Sequence, residues 1–242
     1  MSKIRILISD NVNLKYIDIL DKSKFYVDVN LSLSNNDIIK YSHVNPNSII
    51  FIKSRRIIDK AFLSRCNFDV IATASKGVDH IDVEYAVKRN IKIINSESGN
   101  SLSAAEHTWA LILGAFKKTH IGDYLVRNQM FDNWQYERRT LKGKKIGIIG
   151  TGKVGLIVAK FADSFGMEIL ANDISNDVKQ NNKHLKYYSL DYVLRNSDII
   201  TIHIPLDKRN KNFFDKKTLD KMKNNVIFIN TSRGDVVDED YL

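Results

Sequence analysis

Gly150-Thr151-Gly152-Lys153-Val154-Gly155, followed by Asp173, are the residues of this 242-residue chain whose types and spacing most directly specify a ligand. G-x-G-x-x-G alone is a weak pattern. Here an apolar run, Ile146 to Ile149, ends at the first glycine and a helical pattern starts at the third, the context a dinucleotide fingerprint requires. Gly150 permits a tight turn, Gly152 lets the backbone approach a pyrophosphate, and Gly155 lets the helix lie close to the strand. The helix start at Lys153 and Val154 offers N–H groups and a partial positive charge to phosphates. Asp173 stands about 20 residues further on, after the next apolar run, where a carboxylate accepts both ribose hydroxyls and repels a 2′-phosphate. The pattern predicts NAD rather than NADP. The competing reading, a glycine-rich turn without a ligand, leaves the matching strand, helix and acid unexplained.

A second candidate lies at "VIFINTSRGDVVDEDYL", where the β-branched run Val226–Ile229 turns through Asn230-Thr231-Ser232 into Arg233. A strand that delivers an arginine to a loop suggests a site, although a surface salt bridge is the competing reading. The acidic residues from Asp235 to Asp240 read as the first turn of a helix. Cys66, the single cysteine, excludes an internal disulfide, fits a reducing cytoplasm, and reads as a small buried hydrophobe rather than a nucleophile. No metal site is read from the sequence.

These residues need elements to hold them. The first hundred residues alternate short apolar runs (Ile4–Ser9, Tyr26–Val29, Ile49–Ile52, Val70–Ala74, Ile91–Ile94) with amphipathic stretches near Asn13–Asp21, Asn36–Tyr41, Asp59–Cys66 and Asp82–Asn90. Such alternation predicts a parallel sheet covered on both faces. Ser103 and Glu106 then form a capping-box pattern before a long apolar stretch containing Trp109, Ala110, Leu111, Leu113 and Phe116, which predicts a buried helix between domains. A polar connection follows from Asn128. From Lys145 the alternation resumes, with strands at Ile146–Ile149, Glu168–Ala171, near Lys186–Tyr188, Ile199–Ile204 and Val226–Ile229. The helices expected between them are Val154–Phe165, Leu190–Asn196 and Lys216–Met222. The fold class is α/β, in two domains spanning 1–98 and 99–242.

The formal net charge of +9 invites a nucleic-acid reading, but the basic residues are scattered and their clusters ("KSRR" at 53–56, "KGKK" at 142–145) are short. A nucleic-acid footprint is concentrated on one face, so no nucleic-acid partner is expected, while the charge favours encounter with small anions. No apolar stretch approaches the roughly 20 residues that cross a bilayer, so no membrane partner is expected, and the first run is too short for a signal peptide.

Taken together, "KSRR", "SKGVDHID", "GNSLSAAEHT", "LKGKKIGIIGTGKVG", "TIHIPL" and "NTSRGDVVDE" resemble the D-isomer-specific 2-hydroxyacid dehydrogenase family, and within it the D-3-phosphoglycerate dehydrogenases, over essentially the whole chain. The resemblance implies a flavodoxin-like substrate domain beside a Rossmann NAD-binding domain, with the active site in the cleft. It implies hydride transfer between nicotinamide and C2 of a small anionic 2-hydroxy or 2-keto acid. The backbone N–H groups of Gly77 and Val78 would bind the substrate carboxylate. Arg233 would hold carboxylate and carbonyl oxygen with its paired donors and stabilise charge growing on that oxygen. Lys53, Ser54 and Arg55 match the family's basic segment facing the substrate, and a solvated charge run is the competing reading. His203, Ile204 and Pro205, with Thr231 and Ser232, would line the NAD site. Lys76 stands where relatives carry a smaller residue, which leaves the choice of acid open. Family members pair through the cofactor domain, so a homodimer is implied.

The family's general base is a histidine tuned by a glutamate, both downstream of the arginine, and none of the six histidines here matches it by motif. Later strands of the cofactor domain are likewise expected beyond Leu242, so the sequence reads as C-terminally truncated. Base catalysis contributes about 10²–10⁴-fold, and little turnover is expected of these residues alone. The alternative functions are an NAD-responsive, corepressor-like binding protein and a nonfunctional fragment.

Overall fold

Isoleucine- and valine-rich runs form the strands and amphipathic stretches form the helices in the computed structural model, which describes residues 3–12, 14–96, 99–130, 137–207 and 209–242. The chain divides into two units, Met1–Asn100 and Ser101–Leu242. In the first, the order is β1 (Ile4–Ile8), a 3-10 helix (Leu14–Ile19), β2 (Phe25–Val29), α1 (Asn35–Val44), β3 (Ser48–Ile52), α2 (Lys60–Arg65), β4 (Phe68–Thr73), α3 (Val83–Lys88) and β5 (Lys92–Asn95). The sheet is wholly parallel, ordered β2-β1-β3-β4-β5, which is the flavodoxin-like order. Ser34 and Asp37 close a capping box on α1, and the side chains of Asp59 and Asp82 cap α2 and α3.

Right-handed crossovers put connections that advance in one direction on one face of a sheet. The steps β2 to β3, β3 to β4 and β4 to β5 all advance the same way, so α1, α2 and α3 share a face, and Ile38, Phe62, Leu63 and Ala86 pack there with Leu7, Ile50, Ile52 and Ile71. The step β1 to β2 runs the other way and carries only the 3-10 helix. The opposite face is accordingly less covered: Ile49, Phe51, Val70 and Ala72 are half-buried, and Ile94 is exposed. Cover on both faces, expected from the alternation, is therefore unequal. The expected helix at Asn13–Asp21 is the shorter 3-10 helix, and Asn13 lies outside the described residues.

The second unit contains α4 (Ser101–Lys117), α5 (Thr119–Arg127), β6 (Lys145–Ile149), α6 (Lys153–Ser164), β7 (Glu168–Asn172), α7 (Asn176–Asn181), α8 (Leu190–Asn196), β8 (Ile199–Ile202), α9 (Lys216–Leu219), β9 (Ile227–Asn230) and a 3-10 turn (Gly234–Val236). Its sheet is parallel, ordered β7-β6-β8-β9. One face packs Ile146, Ile148 and Ile199 against α4 and α6 through Ala105, Trp109, Ile112, Val158 and Ala162. The other packs Ile149, Leu170, Ile200 and Ile202 against Val193, Leu194, Phe214 and Val236. Among the described residues no helix is long and apolar enough to cross a membrane.

Several expectations change here. The apolar stretch after Asn100 forms two helices, broken at Lys118, whose φ of 53° is left-handed. The helix begins at Ser101, so Ser103 and Glu106 lie inside it and form no capping box. Its buried stripe belongs to the second unit's own core, while Ala110, Leu102 and Leu111 are exposed, so it is not buried all round. Part of the polar connection after it, residues 131–136, lies outside the described residues. The strand expected near Lys186–Tyr188 is a single parallel bridge between Ala171 and Tyr187. Residues 235–240 do not start an α-helix: after the 3-10 turn, Val237 is extended and bridges Phe214.

Gly147, at the centre of β6, shows how tightly this sheet is covered. A Cβ there would lie 2.4 Å from Ser197 Oγ and 2.6 Å from Val193 Cγ1. The Ser197 hydroxyl is itself held, donating to the Val193 carbonyl at 2.6 Å. Gly147→Ala should therefore cost about 1–3 kcal/mol through overpacking, read as a lower urea midpoint with an unchanged m-value. An unchanged midpoint would mean that α8 recedes freely.

Candidate functional site

In the second unit the register aligns four residues at one level: Ile149 with Asn172 and with Ile202, and Ile202 with Asn230. The next residue on each strand is Gly150, Asp173, His203 or Thr231, so these four of the expected cofactor positions form one row along the carboxyl edge. The ladder continues into that row, as Gly150 N–H donates to the Asn172 carbonyl and His203 N–H to the Ile149 carbonyl, both at 2.8 Å. β6 and β8 leave the sheet in opposite directions, which is the switch point where ligands of open α/β sheets bind.

The three glycines answer to different constraints. Gly150 has φ +89°, and a Cβ would lie 2.9 Å from the His203 carbonyl. A Cβ on Gly155 would lie 2.1 Å from the Gly150 carbonyl oxygen, so α6 can approach the turn only with glycine there. Among the described residues nothing lies within 4 Å of a Cβ on Gly152, and as the N-cap of α6 it makes no side-chain cap bond. Lys153 is exposed, and Val154 is half-buried against the core. An open cradle at a twelve-residue helix's start, beside a carboxylate, fits a pyrophosphate and ribose.

Asp173 accepts the Thr151 N–H at 2.7 Å, the Thr151 hydroxyl at 3.1 Å and the Ser175 N–H at 2.9 Å. Thr151 is wholly buried and also meets the Tyr187 hydroxyl at 3.0 Å. Ile204 is half-buried in the core and Pro205 is exposed, its carbonyl accepting from Asn210 at 2.8 Å.

The Arg233 loop is organised by Asn230, which the sequence reading passed over. Its Oδ1 accepts the N–H and hydroxyl of Ser232 at 2.9 and 2.8 Å, and its Nδ2 donates to the Arg233 carbonyl at 2.8 Å. The Arg233 guanidinium donates to the Ser232 carbonyl at 3.1 Å. Thr231 does not offer its hydroxyl proton outward. Thr108 gives its own proton to the Ala104 carbonyl at 2.8 Å, so Thr231, at 2.8 Å, donates to Thr108.

In the first unit, Lys53, Ser54 and Arg55 follow β3 and are exposed. Arg56 is different. It pairs with Asp10 through Nε at 3.0 Å and NH2 at 2.7 Å, and donates to Asn35 at 2.8 Å and the Ser9 carbonyl at 3.2 Å. Asp10 also accepts the Lys53 N–H at 2.8 Å. One largely buried ion pair thus ties the ends of β1 and β3 together at the switch point of this sheet.

Gly77 and Val78 lie in the turn after β4. Asn95 Nδ2 donates to the Lys76 carbonyl at 2.7 Å, and Ser75 Oγ donates to the Gly77 carbonyl at 2.7 Å. With the Ser75 proton so committed, Thr73 donates to Ser75 at 2.9 Å, and the buried His80 Nε2 donates to Thr73 at 3.2 Å. Both carbonyls are thereby held by side chains. Among the described residues no acceptor takes the N–H of Gly77 or Val78. Burial pushes the Cys66 thiol up; it packs in this unit's core and donates to the Leu63 carbonyl at 3.6 Å.

A parallel, doubly wound unit with a glycine-rich turn opening its first helix and an acid at the end of the next strand is a dinucleotide-binding domain. Comparison with known proteins defines it further. Residues 109–242 match the family model "D-isomer specific 2-hydroxyacid dehydrogenase, NAD binding domain". The D-3-phosphoglycerate dehydrogenase of Archaeoglobus fulgidus is 32% identical over 238 residues, covering 97% of this chain and 45% of the relative. The glyoxylate reductase of Thermofilum pendens is 37% identical over 182 residues, covering 73% of this chain and 54% of the relative. The crystal structure of D-lactate dehydrogenase from Aquifex aeolicus, complexed with NAD and lactic acid, superposes with a TM-score of 0.81 at 28% identity, over 98% of this chain and 71% of that one. This chain belongs to the D-isomer specific 2-hydroxyacid dehydrogenase family. It spans 45% of the length of the Archaeoglobus relative.

His203 and Arg56 give two tests. Burial lowers the His203 imidazole to about 4, with Nε2 3.0 Å from the buried Thr201 hydroxyl. The unfolded chain, at the ordinary value near 6.5, binds the proton more readily, so this contribution is complete above pH 6.5 and is lost as pH falls towards 4. Wild type should lose on the order of 2 kcal/mol more than His203→Asn between pH 7 and 4, a figure reduced for the ring's partial exposure. Parallel curves would refute the assignment. Arg56→Ala, leaving Asp10 buried and unpaired, should cost about 3–5 kcal/mol in denaturant unfolding of the first unit; a loss under 1 kcal/mol would reduce the pair to a surface contact.

Proposed function

We propose that this chain binds NAD in its second unit and takes part in hydride transfer between the nicotinamide and C2 of a small D-2-hydroxy acid. The carrying observation is the row of Gly150, Asp173, His203 and Thr231, set by register at one sheet edge above an open Gly152 cradle. NAD supplies the hydride acceptor or, in reduced form, the donor. The first turn of α6 meets the pyrophosphate. Asp173 meets the ribose and disfavours a 2′-phosphate, and His203, Ile204, Pro205, Thr231 and Ser232 line the same edge. Gly77 and Val78 N–H groups bind the substrate carboxylate, and the grip of Asn95 and Ser75 on the neighbouring carbonyls supports that role. Arg233, held by Asn230, engages carboxylate and carbonyl oxygen and stabilises the charge that grows there during reduction.

Lys53, Ser54 and Arg55 favour a phosphate-bearing acid such as 3-phosphoglycerate over glycolate. Exposed Leu102, Leu111, Tyr124 and Val126 on α4 and α5 support a homodimer through the second unit, and the single buried thiol suits a reducing cytoplasm.

NADH fluorescence titration of this chain tests the cofactor reading. Gly152→Val should weaken NADH at least about tenfold while changing unfolding free energy by under about 1 kcal/mol, because the added side chain enters open space. Unchanged NADH affinity would refute the cradle. For the substrate, calorimetric titration in the presence of NAD should show 3-phosphoglycerate binding about tenfold tighter than glycolate, an advantage lost in Lys53→Ala/Arg55→Ala. Equal binding of the two acids by wild type would overturn the phosphate assignment.

A further inference from the structure

Asp173 is a carboxylate most of whose capacity is already used. Its two oxygens offer about four acceptor positions. Oδ2 takes the Thr151 N–H at 2.7 Å and the Thr151 hydroxyl at 3.1 Å, and Oδ1 takes the Ser175 N–H at 2.9 Å. One position is left, on Oδ1, so the acid can accept one ribose hydroxyl rather than the two read from sequence.

The direction of the remaining bonds follows by elimination. A carboxylate has no proton to give, so the single hydroxyl proton of Thr151 goes to Asp173. The Tyr187 hydroxyl, 3.0 Å from Thr151 Oγ1, must then donate to Thr151. The chain runs one way, from the Tyr187 O–H through the Thr151 O–H to Asp173 Oδ2. Both donors are fixed by the backbone. Thr151 is wholly buried in the glycine turn. Tyr187 sits on the outer edge of β7, where Ala171 N–H donates to the Lys186 carbonyl at 3.3 Å and Tyr188 N–H to the Ala171 carbonyl at 2.9 Å. Asn172 Nδ2 also donates to the Tyr188 carbonyl, at 2.9 Å.

We propose that Thr151 and Tyr187 are positioning residues that set the preference for NAD over NADP by locking the plane of the Asp173 carboxylate. A carboxylate free to turn about its last bond can move its charge aside for a 2′-phosphate. The N–H groups of Thr151 and Ser175 hold one oxygen each, and the Thr151 hydroxyl, backed by Tyr187, adds the further bond that stops the residual turning and keeps the negative charge where a phosphate would have to sit. The proposal rests on the reading of Asp173 as the ribose acid. Tyr187 lies outside the fingerprint, 14 residues beyond Asp173 in sequence, and reaches the site only because its segment lies along β7.

The test is the ratio of NADPH to NADH dissociation constants, measured by fluorescence titration on the whole chain. Thr151→Val keeps the backbone N–H and the shape but removes the hydroxyl; it should weaken NADH about five- to tenfold and NADPH little, narrowing the ratio at least about threefold. Tyr187→Phe should narrow it about twofold, and Thr151→Ser should leave it at the wild-type value. A merely structural role would weaken both cofactors together, and that result, or a ratio unchanged in both Thr151→Val and Tyr187→Phe, overturns the proposal. Asp173→Ala separates the two levels. A ratio that collapses there but survives Thr151→Val removes the pair alone, whereas a ratio that survives Asp173→Ala removes the reading of the acid and the pair with it.

Discussion

Parallel pairing holds β6, β7, β8 and β9 in one unbroken register, and the chemistry of the second unit rests on that pairing. Neighbouring strands lie about 4.8 Å apart, so residues one step beyond the aligned set stand side by side although as many as 81 positions separate Gly150 from Thr231 in sequence. The register also explains the glycines. A turn that must pass under the His203 carbonyl has no room for a side chain at Gly150, and a helix that must start against that turn has none at Gly155. A slip of one residue would exchange the side chains of a strand's two packed faces and scatter the row with it.

Above the sheets, function depends on which way peptide groups point, and polar side chains decide that. The carbonyl of one residue and the N–H of the next belong to one planar unit and point in opposite directions. Holding the Lys76 and Gly77 carbonyls therefore turns the N–H groups of Gly77 and Val78 the other way. The relay from His80 through Thr73 and Ser75 ends on the Gly77 carbonyl, so it also polarises the peptide whose other end is the Val78 N–H. Asn230 does the same work in the second unit, closing the loop that carries Arg233 with bonds to both Ser232 and Arg233.

What could be read from sequence was local. Strand runs such as Lys145–Ile149, the cradle after it and the acid at the next strand's end are written in consecutive residues or at fixed offsets. The breaks were harder. Lys118 adopts a left-handed conformation with no glycine to announce it, and the helix already starts at Ser101, ahead of the Ser103–Glu106 pattern. Hardest were polar pairings across long separations. "KSRR" holds three cations with nothing to rank them, and the one that is structural is chosen by Asp10, far upstream. Thr108 with Thr231, and Tyr187 with Thr151, are likewise ordinary residues until the sheet brings them together.

The Asp10–Arg56 pair also shapes the electrostatics of the first unit's switch point. Arg56 takes up the charge of Asp10, and Asp10 fixes the loop's backbone through the Lys53 N–H, so this acid does not cancel the charges of Lys53 and Arg55. Exposed cations of this kind attract an anion over about 8 Å at physiological salt and bind it weakly, because water competes for every contact. Firm, oriented binding requires donors that are already fixed before the ligand arrives. The amides at Gly77 and Val78 meet that requirement because the carbonyls of the same peptide groups are already occupied, so on the proposed reading the cations of this unit would steer an anion and the backbone would hold it.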